Sequence, residues 1–222
     1  MPAAEDKHTS REAQRLQTRQ RVYDAAVAEF KRVGMADADV AVIAKEAGVA
    51  RGTFYFHFPT KEHVLAELER HEEARLAAQL TRFLAGPPSG GPDAPRGCPP
   101  GEPSLAGALA EVVRLMATME RRVGKLLFRE MLGMHFSSRR PELLPATDQW
   151  TKYPMMTLVV ETVERARERG EAYPGADGLR TAQFFMLGLY AVLITSPERP
   201  RSVRQEILDN FVATVLRSVE AR

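Results

Sequence analysis

Apolar residues recur along most of this chain at steps of three and four, the period of a helix with one buried face. Val22, Ala26, Phe30 and Val33 form one such stripe, on a helix predicted over about residues 10–33 and ended by Gly34. Val40, Ile43, Ala44 and Ala47 form a shorter one, with Asp39 placed to cap it and Gly48 to stop it. A third short helix opens at Arg51. Thr60 is the expected cap of a fourth, which carries Val64, Leu65, Leu68, Leu76 and Leu80. Further helical segments are predicted over 105–121, 124–136, 146–169, 179–195 and 203–219, with Pro141, Pro145, Pro174, Pro197 and Pro200 between them. No stretch alternates with period two, so the expected fold is all-α with about nine helices.

One segment breaks this pattern. Of the eighteen residues at 86–103, twelve are Pro or Gly, which can propagate neither helix nor strand, and a long loop is expected there. It carries the single cysteine, Cys98, so no intramolecular disulfide exists and the thiol reads as incidental. The polar N-terminus lacks the apolar core of a secretory signal, and the apolar run at 184–194 is too short to span a bilayer. A cytoplasmic protein without a membrane partner is therefore expected. Among 222 residues, 31 Lys plus Arg face 29 Asp plus Glu, a formal net charge of +2 that excludes a polybasic chain. The positive charge is uneven: residues 7–61 hold ten basic and six acidic side chains. Lys7, Arg11, Arg15 and Arg19, each four apart, align on one face of the first helix. Such a stripe suits nucleic acid, and equally a solvated face.

Residues 40–58, VAVIAKEAGVARGTFYFHF, decide between the two. A short helix, a glycine turn and a second short helix make a helix-turn-helix, whose second helix enters the major groove N-terminal end first. Arg51 and Thr53 then face outward, and Gly52 lets the backbone approach closely. Phe54 and Phe58, four apart, point into the core. The spaced set Phe30, Gly34, Val40, Ile43, Ala44, Ala47-Gly48-Val49, Gly52-Thr53-Phe54-Tyr55, His57-Phe58 and Lys61-Glu62 resembles the TetR family of bacterial transcriptional regulators. The resemblance implies that Tyr55, His57 and Lys61 hold DNA phosphates and that Arg51 and Thr53 read bases. Gly52, Thr60, Arg15 and Arg19 complete the expected DNA-contacting set. Two positions depart from the family pattern: Asp39 stands where threonine is usual, and Ala50 where serine is common. Aspartate would repel a phosphate there, and alanine loses one hydroxyl contact.

Beyond residue 63 no catalytic motif is visible, and no metal site or cofactor is expected. His63, Glu67 and His71 share one face of the fourth helix, which reads as solvated rather than metal-binding. Seven of nine methionines lie between Met116 and Met186, interleaved with aromatic residues. The family resemblance implies an inducer pocket here, and methionine suits adaptable apolar binding. Phe128, Met131, His135, Trp150, Tyr153, Met156, Phe184 and Tyr190 are its expected lining, with Glu130, His135 and Glu161 as polar groups. Both a cationic drug and a neutral or fatty ligand remain open. The last two helices are apolar on more than one side. Phe185, Leu189, Val192, Phe211 and Val215 are the expected dimer seam, with a monomeric core using both faces as the alternative. The expectation is a DNA-binding domain over 1–63 and a ligand-binding and dimerisation domain over 64–222. Together they would make a homodimeric repressor released from a palindromic double-stranded operator by a small molecule. The competing class is an all-helical enzyme or carrier using the C-terminal cavity.

Overall fold

Nine helices hold nearly all of the residues described by the computed structural model, which are 3–86, 103–136, 153–195 and 199–220. They are α1 (Ala3–Val33), α2 (Val40–Glu46), α3 (Arg51–His57), α4 (Lys61–Leu84), α5 (Leu105–Val123), α6 (Lys125–Met134), α7 (Pro154–Glu168), α8 (Gly178–Thr195) and α9 (Arg201–Val219). Among the described residues the only extended pairing is a lone bridge between Ala172 and Glu220. The fold is all-α, as the periodicity requires. Trp150, Cys98 and the expected start of the seventh helix at 146 lie outside the described residues, as does the side chain of Lys7.

Local chemistry explains where the helices stop. Gly34 takes φ +86°, a conformation that disfavours a side chain, and its N–H closes α1 on the Phe30 carbonyl at 2.8 Å. It also sits against α6: a Cβ there would lie 2.9 Å from Leu126 Cδ2 and 3.1 Å from Glu130 Oε1. The Asp39 carboxylate caps α2 by accepting from the Ala41 N–H at 2.7 Å. Thr60 occupies the cap position of α4, but its Oγ1 bonds His63 Nδ1 at 3.0 Å instead of a backbone N–H.

Val22, Ala26 and Phe30 of α1, Ile43 of α2 and Phe54 and Phe58 at α3 bury completely or nearly so, and form the small N-terminal core. It continues without a break into the larger bundle through α4, whose single rod runs across residue 63. Between α1 and α4 lies a polar seam, and here one expectation fails and another holds only in part. Arg19 does not belong to an outward basic stripe. Its guanidinium grips both oxygens of the buried Glu67 carboxylate and stacks 4.5 Å above the Phe58 ring. The His63–Glu67–His71 face is solvated only in part: Glu67 is buried against Arg19, while His71 is exposed and its Nδ1 meets the Tyr23 hydroxyl at 3.1 Å. A carboxylate this deep needs a counter-ion, and helix α1 supplies it.

The residues expected to form a dimer seam on α8 and α9 pack within the subunit itself. Phe185, Leu189 and Val215 are fully buried within the subunit, and Phe211 stacks on Phe185 with ring centroids 5.7 Å apart. Val192 is half-buried against the same core. The large apolar side chains these helices leave outside are Leu179, Phe184, Leu187 and Val203, with Phe184 58% exposed. Helix α8 is long and apolar enough by composition to cross a membrane, yet its inner side is built into the bundle.

Removing the Arg19 side chain leaves Glu67 buried with only Arg70, 3.6 Å away and half exposed, as counter-ion. Arg19→Ala is therefore expected to lower unfolding free energy by about 2 kcal/mol, less than for a wholly buried pair because Arg19 is itself a third exposed. Urea denaturation checks it, and Arg19→Ala/Glu67→Gln should recover part of the loss.

A candidate nucleic-acid interface and a buried C-terminal cavity

Helix α3 is pinned from one side and open on the other. Phe54 and Phe58 anchor it through the core, so the residues between and before them face out. Arg51 and Gly52 are exposed, with open space around Gly52, and Thr53 is half-buried. Tyr55 is exposed and receives the Arg51 guanidinium 5.9 Å above its ring. A hydrogen bond to Tyr55 holds the Arg51 pKa above its ordinary value. Phe56, absent from the expected contact set, is the most exposed large apolar side chain described, at 73%. The sequence does carry the signal: a residue midway between two core anchors four apart must lie on the opposite side.

The remaining expected contacts divide. Arg15 is exposed and paired with Glu12 at 2.8 Å. His57 is half-buried beside α3's end, and desolvation, then the charges of Arg19 and Arg15, lower its pKa. The shift favours the uncharged imidazole in the free protein, and its ring N–H can still be offered to a phosphate. Lys61 has an intramolecular occupation: its Nζ donates to the Ala36 carbonyl at 2.8 Å and the Ala38 carbonyl at 3.1 Å. Those bonds tie the α1–α2 loop to α4 and account for a cation at a helix N-terminus. Arg19 is turned inward, as described above.

The second feature lies between α4, α6, α7 and α8. Two adjoining voids of about 10 Å³ each share Glu73, His135 and Tyr190, room for about one water apiece. Of the expected lining, Met131, His135, Tyr153, Met156 and Tyr190 come together here. Phe128 is buried elsewhere in the core, and Phe184 points out of the molecule. Glu161 is exposed. Glu130 faces the other way, accepting from the Met35 N–H at 2.7 Å and the Ala36 N–H at 3.3 Å. The polar groups that do line the cavity, Glu69 and Glu73, escape a reading of the sequence because acidic residues on an amphipathic helix ordinarily mark its wet side.

Their geometry is tight. His135 Nε2 lies 2.6 Å from Glu69 Oε1, both side chains almost wholly buried, while Glu69 Oε2 is buried without a hydrogen-bond partner. The imidazole sits between Tyr153 and Tyr190, with ring centroids 5.5 and 5.3 Å away. Glu73 accepts from the Met155 N–H at 2.8 Å. Burial pushes its carboxyl up to about 7, against the opposing effect of that bond, and burial raises Tyr190 well above its usual range.

Residues 22–68 match the profile of the bacterial regulatory proteins of the tetR family. The HTH-type transcriptional regulator SrpR of Pseudomonas putida is 46% identical over 72 residues, covering 32% of this chain and 34% of that protein. AcrR of Shigella flexneri, another HTH-type transcriptional regulator, is 36% identical over 77 residues, covering 35% of each chain. The match thus spans about a third of these relatives' own length. Over 90% of this chain and 91% of the other, the fold is similar to that of Thermus thermophilus FadR, a TetR family transcriptional repressor solved in complex with lauroyl-CoA (TM-score 0.59, 24% identity).

Glu73 binds its proton more tightly folded than unfolded, so it costs stability as pH rises from about 4.5 to about 7 and no further above that. Glu73→Gln keeps an acceptor for Met155 and removes the charge. It should be more stable than the wild type at about pH 8, by up to about 3 kcal/mol, with the difference vanishing towards pH 4.5. Paired denaturant titrations across that range check it.

Proposed function

We propose that this chain, whose residues 22–68 match the bacterial regulatory proteins of the tetR family, is a member of that family and a cytoplasmic, ligand-responsive repressor that binds a palindromic operator as a homodimer. The observation that carries the reading is α3: two buried phenylalanines fix it, and Arg51, Gly52, Thr53, Tyr55 and Phe56 are presented outward. Arg51 matches O6 and N7 of a guanine, and the exposed Phe56 ring suits a thymine methyl. Tyr55, His57, Thr60, Lys61 and Arg15 border this face and would meet phosphates. Because the Lys61 ammonium already serves two carbonyls, only its third N–H is left for DNA.

The division at residue 63 separates a reading unit from a sensing unit that share α4. Helix α6 supports a coupling between them. Leu126 and Glu130 on it touch the loop after α1, and His135, at its C-terminal end, lines the cavity. A ligand that favours one placement of α6 must weaken operator binding by the factor that operator weakens the ligand. The rival enzyme reading lacks support, since the relatives are named as transcriptional regulators.

Two subunits would join through the outward apolar face of α8 and α9, placing two α3 helices about 34–36 Å apart. Phe184→Glu changes a side chain that the isolated subunit leaves exposed, so folding should survive. The dimer should weaken by about 3 kcal/mol, more than a hundredfold. Sedimentation at micromolar protein checks this; an unaltered dimer moves the interface elsewhere.

The reading itself is tested by selecting bound sequences from random DNA with wild type and Arg51→Ala. The wild type should yield a two-fold symmetric consensus with a G·C pair in each half. Arg51→Ala should lose preference at that pair at a cost of about 1–3 kcal/mol per half-site. No consensus from the wild type would sink the regulator reading.

A further inference from the structure

We propose that the C-terminal cavity recognises a lipophilic organic cation, and that the His135 side chain holds that cation's place until it arrives. The inference rests on the cavity being the ligand site of the regulator and names the class of ligand it takes.

Charge carries the first part. Among the described residues, the titratable groups facing the two voids are Glu69 and Glu73 of α4, His135 after α6, Tyr153 before α7 and Tyr190 of α8. Helix α5 adds only Met116 and Met119, and among the described residues no Lys or Arg lines either void. An anionic ligand would meet two carboxyl groups with a single imidazole to offset them. A neutral apolar ligand would leave Glu69 Oε2 buried and unpaired. A cation gives that oxygen its counter-charge, and favours the ionised form of Glu73.

The second part comes from what His135 touches. Its ring lies between two tyrosine rings and against a carboxylate, which is the environment an aromatic cage offers an ammonium group. The remaining walls include Met156, Met186, Met131 and Leu132, flexible enough to part around an apolar substituent. As the cation enters, it takes the place of the imidazole. His135 is the residue that ends α6, so its departure frees one end of the helix whose Glu130 holds the α1–α2 loop. The lauroyl-CoA bound by Thermus FadR is anionic, so the shared fold at 24% identity would here serve a ligand of opposite charge.

The test is isothermal titration of the full chain with three probes of one chain length, dodecyltrimethylammonium, 1-dodecanol and laurate, each below its micelle concentration. At about pH 8 the ammonium should bind about tenfold or more tightly than either other probe. Glu69→Gln and Glu73→Gln should each weaken it by about tenfold or more, while leaving dodecanol unchanged. His135→Gln, which keeps an N–H for Glu69 but empties the cage, should tighten it. Wild-type affinity for the ammonium should fall as pH drops below about 7, where Glu73 takes up its proton, and that slope should shrink in Glu73→Gln. Laurate or dodecanol binding as tightly as the ammonium overturns the inference, as does failure of all three to bind. The headgroup series needs only the wild type, so it discriminates even if a variant fails to fold. Either result leaves the regulator reading standing, because that reading falls only if the wild type selects no DNA sequence.

Discussion

Four carboxylates on one helix organise this molecule. Glu67, Glu69, Glu72 and Glu73 occupy two turns of α4, and each is answered by a different element. Arg19 of α1 meets Glu67, His135 after α6 meets Glu69, Arg122 of α5 meets Glu72, and the first N–H groups of α7 include the partner of Glu73. An acid buried without a partner costs several kcal/mol, so a packing of these helices that misplaced any one of them would be penalised. Such pairs add little net stability over apolar packing of the same volume. Their effect is to select one arrangement of helices around α4 from the many that an apolar core alone would tolerate.

The same constraint explains what can and cannot be read from the chain. Helix positions are legible because Gly34, Gly48 and Gly124 interrupt a strong apolar period, and the helix-turn-helix because its core and turn residues fall at fixed spacing. Direction of facing is harder. In α8, Phe184 and Phe185 are adjacent phenylalanines in an almost wholly apolar helix, and periodicity gives no reason to send one inward and the other out. The glutamates of α4 and Arg19 of α1 read as solvent-facing, since a charged residue is normally on the surface unless something distant in sequence neutralises it. Arg19 and Glu67 are 48 residues apart, and nothing local announces their pairing. The aromatic and methionine walls of the cavity are therefore visible in the sequence, while its acids are not.

Helix α6 links these two kinds of residue. Ten residues long, it carries Leu126 and Glu130 towards the loop after α1 and Met131 towards the cavity, where His135 ends it. Gly34 is what lets it come so near. Any side chain at that position would adopt an unfavourable φ and also press on Leu126 and Glu130. The contact of α6 with the loop after α1 thus depends on the absence of a single methyl group.

The continuity of α4 has a consequence in lever geometry. Twenty-four residues make a rod of about 36 Å. Pivoted at its C-terminal end, a tilt of only about 5° would carry the Lys61 end through about 3 Å, close to the rise of about 3.4 Å between stacked base pairs. The side chains at that far end, Lys61 and the loop it holds, would travel with it. A displacement too small to disturb the packing of the bundle is therefore large enough to move a helix out of register with a groove.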